Sequence, residues 1–165
     1  MWKRRAAKRT QHVFWLHGAL HLYVDDERRL RKLDAADGPL IDQVQEHLAD
    51  GHYPLVVTEG RAEEKEVRID RSPYLRFCRS NLENLTGSLF IHGASLGPSD
   101  AHITKLIESQ YSSVEALYVG LHQPDSTDAD ELRHRCLAIA RHRQQNGGRR
   151  LEVRFYDAAS ANVWR

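Results

Sequence analysis

Only two cysteines, Cys78 and Cys136, occur in the 165 residues, and they form neither a C-x-x-C pair nor a disulfide framework. Both fall on apolar faces of predicted helices, which marks them as buried thiols of a reducing compartment. Long apolar runs are missing as well. The stretch VFWLHGALHLYV is too short and too interrupted to span a bilayer. The basic start MWKRRAAKRT leads into Gln11 and His12 rather than into the apolar core of a secretory signal. Low-complexity tracts and internal repeats are absent. Charged residues make up 28% of the chain, yet the formal net charge is +1, so no global field draws it to nucleic acid or to a membrane. A cytoplasmic protein with a core of ordinary size is expected.

What is present is an alternation of strand and helix signals. Val13–Leu16 and Leu20–Val24 read as strands on either side of His17-Gly18. Asp25 to Asp37 reads as a solvated excursion. Leu40, Ile41, Val44 and Leu48 recur at helical spacing between Pro39 and Asp50. YPLVVTEG reads as a short buried strand, and Glu59, Glu63 and Glu64 as an acidic loop. Ser72-Pro73 opens a helix whose Tyr74, Cys78, Leu82 and Leu85 share a face. SLFIH, EALYVGL and LEVRFYDA supply further strands, with helices after Ser95 and from Asp128 to Gln145. This order predicts a three-layer α/β domain with a mostly parallel sheet. In such sheets ligands bind beyond the carboxyl ends of the strands. His17-Gly18, Thr58-Glu59-Gly60 and His92-Gly93-Ala94-Ser95 would then meet on one edge.

Gly93-Ala94-Ser95-Leu96-Gly97 also matches G-x-S-x-G, the nucleophile elbow of α/β serine hydrolases. An elbow starts its helix almost at once, whereas here Leu96, Gly97 and Pro98 precede the N-cap candidates Ser99 and Asp100. The later histidines His134 and His142 fall inside a predicted helix, a poor place for a mobile base. His12, His17 and His21 have no cysteine or carboxylate companion at ligand spacing, so no metal is expected. Arg133, Arg135, Arg141, Arg143, Arg149 and Arg150 read as a solvated face rather than a nucleic-acid surface, since no aromatic platform accompanies them.

Leu16-His17-Gly18-Ala19, Glu59-Gly60, Glu64-Lys65, Ile69, Tyr74-Leu75 and Phe90 to Ile103 together resemble a bacterial family of uncharacterised proteins. That family is similar in turn to sirtuin-like NAD-binding proteins, including NAD hydrolases of anti-phage defence. The resemblance implies a Rossmann-like, sirtuin-like fold with NAD as ligand or substrate and no metal. It implies His17 as the catalytic histidine and Gly18, Glu59, Gly93, Ala94, Ser95, Leu96 and Asp100 as nucleotide-contacting or turn-holding residues. An imidazole near the nicotinamide ribose would assist glycosidic cleavage by accepting a hydroxyl proton. No glycine-rich phosphate loop precedes Val13, so residues 13–165 are expected to form a partial domain after a basic segment, residues 1–12. Alone it should turn over little NAD, and an upstream polypeptide or a second copy would be its partner. The other readings are a non-catalytic interaction module and a serine hydrolase using Ser95.

Overall fold

The computed structural model describes residues 13–163; the basic segment 1–12, with Trp2 and His12, and Trp164 lie outside them. The chain divides into two compact units, one ending at Val56 and the other beginning at Val57.

In the first unit β1 (Gly18–Val24) is the central strand. It pairs antiparallel with β2 (Leu30–Lys32) on one side and β3 (Pro54–Val56) on the other. The helix α1 (Leu40–Ala49) contributes Val44 to the buried set, with Leu22 and Leu33 from the sheet side. Two expectations are corrected here. Val13–Leu16 is not a strand, because the Gly18 N–H turns back to donate to the Trp15 carbonyl at 3.0 Å. Residues 25–37 are not simply solvated, since they hold β2 and a 3-10 turn over Ala35–Asp37.

The β1–β2 connection is organised by Asp25. Its carboxylate accepts from the Arg29 N–H at 2.8 Å, from Arg29 Nε at 3.1 Å and from Arg31 Nε at 2.8 Å. Partial desolvation pulls the Asp25 pKa upward, but these donors outweigh it and lower the value from the ordinary 3.8 to about 2. A carboxylate with a depressed folded pKa stabilises the fold above its unfolded pKa and loses that contribution as pH falls through the folded value. The hairpin is therefore expected to loosen selectively between about pH 3.8 and about pH 2. Amide exchange of Arg29 followed across that range checks this, and protection that stays flat would refute it.

The second unit opens with α2 (Ala62–Arg71) and α3 (Pro73–Glu83), which pack on each other and on α4 (Ala101–Glu108). The acidic stretch read as a loop is the first turn of α2. Glu64 Oε2 reaches back to accept from the Arg61 N–H at 3.0 Å, satisfying a donor that the helix start leaves orphaned. Ala62, Lys65 and Ile69 then share the buried side. Ser72 ends α2 and caps α3 by accepting from the Leu75 N–H, with Pro73 at the first helical position. The buried face of α3 holds Leu75 and Cys78, one residue away from the expected Tyr74.

The sheet of this unit is parallel, in the order β4 (Thr86–Ile91), β5 (Ser113–Leu121), β6 (Glu152–Asp157). The crossovers are α4 and α5 (Thr127–Gln145). One face of the sheet supplies Ile91, Leu117, Val119 and Leu121 to a core shared with Ile107 of α4 and Leu132, Cys136 and Ile139 of α5. Burial pushes the Cys136 thiol up to about 11, which makes it inert at neutral pH. The other face carries Phe90, 65% exposed, stacked on Tyr118 at 4.7 Å, with Arg154 5.7 Å from the Tyr118 ring.

The expected single, mostly parallel sheet is thus corrected to one parallel and one antiparallel sheet of three strands each. Arg143 is corrected too. Far from lining a solvated face, it is 1% exposed and donates to the backbone carbonyls of Ser112 and Val114. No helix of the described residues is long and apolar enough to cross a membrane.

Candidate functional site

The strands of the parallel sheet end together, so the segments after Ile91, Leu121 and Asp157 share one edge. The segment after β4 is His92 to Gly97, followed by a 3-10 turn (Pro98–Asp100) and then α4. Gly93 has φ +71° and Leu96 has φ +49°. The left-handed region suits glycine but strains leucine. Leu96 is held there because its side chain belongs to the core beside Ile91 and Ile107. The result is a turn clamped at both ends with its middle, Gly93 to Ser95, exposed.

Among the described residues, none of the backbone N–H groups from Gly93 to Gly97 donates to a protein acceptor. The first amide after them that does is Asp100, to the Gly97 carbonyl at 2.9 Å. Backbone amides without a protein acceptor are a local source of positive potential, suited to anionic oxygens. Asp100 stands at the N-terminal boundary of α4, yet its side chain does not cap the helix. It faces Lys65 of α2 instead, with Nζ 3.5 Å from Oδ1. Lys65 is 7% exposed, so this pair ties α2 to the base of the turn from within. Asp100 was expected to cap the helix or hold the turn; it makes no cap and contacts Lys65.

Ser95 is exposed, and no histidine is hydrogen-bonded to its hydroxyl among the described residues. His134 and His142 lie on α5, and His142 Nδ1 is 3.3 Å from Glu108 Oε2. Of the other expected site residues, Gly18 opens β1 in the first unit and His17 lies in the turn before it. Gly18 has φ +76°, and a Cβ there would lie 1.9 Å from the Leu55 carbonyl oxygen. Glu59 is exposed in the loop ahead of α2. β1 and β3 belong to the antiparallel sheet, so the three segments do not all follow strands of one parallel sheet. Gly93, Ala94, Ser95, Leu96 and Asp100 remain together around one turn.

Tyr156, which sequence reasoning passed over, joins His92 at the edge. His92 Nδ1 is 3.1 Å from the Tyr156 hydroxyl. Gly120 lies between their strands, and both partners crowd the place where its side chain would stand. Lys65 entered the sequence analysis only within the resemblance, because the helix that buries it reads as an acidic loop.

Fold and site define an α/β protein with a strained, donor-rich turn at the carboxyl edge of a parallel sheet. The chain belongs to a family described as a domain of unknown function (DUF4917), which matches residues 1–164. No curated protein and no solved structure matches it.

Proposed function

We propose that the second unit binds a nucleotide of the NAD type, with its phosphate or ribose oxygens against the turn Gly93–Gly97. The observation that carries this reading is the run of unpaired amides held by Leu96 in the left-handed region. Such donors suit anionic or hydroxyl-rich ligands. The position beyond the carboxyl ends of parallel strands adds to it. So does the likeness of the LHG and GASL stretches to sirtuin-like proteins, from which His17 remains the proposed catalytic histidine. The chain by itself is expected to bind NAD and to release little nicotinamide. The serine-hydrolase reading has no base bonded to Ser95 among the described residues, and a purely non-catalytic module is the other outcome.

Titration of the purified chain with NAD and with ADP, followed by amide NMR, tests it. The Gly93–Gly97 amides are expected to shift together. Ser95→Ala should weaken binding roughly three- to tenfold, the loss of one neutral hydrogen bond. A set of shifts that leaves this turn untouched would remove the reading. Labelling of Ser95 by an active-serine phosphonate would replace it with the hydrolase.

A further inference from the structure

The ladder pairs Ile91 with Val119 and Gly120 with Tyr156. His92, one step beyond Ile91, therefore comes level with Gly120, and Gly120 separates it from Tyr156. Because Gly120 has no side chain, the two rings meet across the middle strand. Their centroids are 6.2 Å apart with 18° between planes, and Nδ1 is 3.1 Å from the phenol oxygen. A Cβ on Gly120 would stand 3.0 Å from Tyr156 Cζ and Oη and 3.1 Å from His92 Nδ1. Only glycine leaves the pair its present geometry.

The phenol has one proton and two acceptors within reach. The Ile91 carbonyl is 3.5 Å away, at the outer limit of a hydrogen bond, whereas 3.1 Å to Nδ1 lies within the ordinary range. Donation to Nδ1 uses the shorter contact; the opposite tautomer would donate from Nδ1 and leave the phenol proton to the Ile91 carbonyl. A neutral imidazole that accepts at Nδ1 carries its own proton at Nε2, on the far side of the ring. His92 adjoins Gly93, so a proton at Nε2 would place a side-chain donor on the residue next to the turn.

We infer that His92 binds a phosphoryl oxygen of a nucleoside diphosphate through Nε2–H, and that Tyr156, placed across Gly120, is the positioning residue that sets this tautomer. The inference rests on the turn being the nucleotide site. Tyr156 acts through His92 and touches no ligand itself.

Nitrogen-15 spectra of the histidine ring, recorded on the purified chain with and without ADP, separate the possibilities. The free protein is expected to show His92 as the Nε2–H tautomer, and ADP should shift both its ring nitrogens and the Gly93–Gly97 amides. His92→Ala should weaken ADP roughly tenfold or more. Tyr156→Phe should mix the tautomers and weaken ADP roughly threefold or more, with the fold intact by melting. An Nδ1–H tautomer in the free protein overturns the donor role. Turn amides that respond while His92 does not overturn the inference and leave the nucleotide site standing. No response from either removes both. A Tyr156→Phe variant that melts earlier but keeps the tautomer and the ADP affinity reduces Tyr156 to packing and sinks its positioning role.

Discussion

Gly18→Ala is expected to cost the first unit about 3 kcal/mol or more, because two separate penalties fall on one methyl group. Gly18 has φ +76°, and an L-residue in that region loses about 1–2 kcal/mol. The new Cβ would also lie 1.9 Å from the Leu55 carbonyl oxygen, 2.8 Å from the Leu55 carbon and 3.1 Å from Val56 Cα. These are backbone atoms of β3, so no side chain can swing aside. Gly18 pairs with Val56, and the strands must part at that rung. Gly51 is the internal comparison. It has φ +81°, but a Cβ there meets nothing within 4 Å, so Gly51→Ala should lose only the conformational term of about 1–2 kcal/mol. Amide exchange in β1 and β3 reads both. Equal losses for the two variants would show that the close approach at Leu55 relaxes freely. The glycine of the LHG turn thus has a structural duty that would hold with no ligand present.

Arg143→Met is expected to destabilise the second unit by about 2–4 kcal/mol, the net of opposed effects. The guanidinium is buried, and no carboxylate is paired with it among the described residues. Desolvation, and then the nearby charge of Arg149, lower its pKa. Methionine would relieve that cost. Against this, Nη1 donates to Val114 O at 2.7 Å and Nη2 to Ser112 O, and hydrogen bonds from a charged group contribute about 1.5–3 kcal/mol each. Losing both also strands two carbonyls at the start of β5, beside a buried Ser112. The lost bonds win. Arg143→Lys should recover little, because a single ammonium cannot reproduce the fork that spans two carbonyls. Gly148, whose missing Cβ would fall 2.7 Å from Arg143 Cγ, leaves the stem its room. Urea unfolding followed through β5 amides measures the effect. Wild-type stability in the methionine variant would mean that desolvation cancels the bonds.

Much of the local structure was readable from the residues alone. α1, α3 and α5 follow from apolar spacing and from caps such as Ser72 and Ser126, whose hydroxyls accept from nearby amides. β4, β5 and β6 follow from short apolar runs between turn residues. The turn from Gly93 to Asp100 was legible as well, down to the delayed helix start at Ala101. All of these depend on neighbours a few residues apart, which the order of side chains states directly. α2 was missed because its signals are a glutamate that caps its own helix start and a lysine on the buried side. Both resemble a solvated acidic loop until Asp100, 35 residues away, supplies the partner.

Strand pairing belonged to the tertiary structure alone. An apolar run reads the same in a parallel or an antiparallel sheet, so nothing local to β1 and β3 separates them from β4 and β5. The backbone partners decide, and they lie far along the chain. His92 and Tyr156, 64 residues apart, become a pair only because the register sets Gly120 between them. Arg143 looked like one more surface cation among several, and only the carbonyls of Ser112 and Val114 explain its burial. Short-range spacing and caps made α1, α3, α5, the strands of the parallel sheet and the turn legible in the residues. The tertiary structure decided the two sheets, the buried charges and the companions of the turn, since hydrogen bonds between distant segments have no local signature.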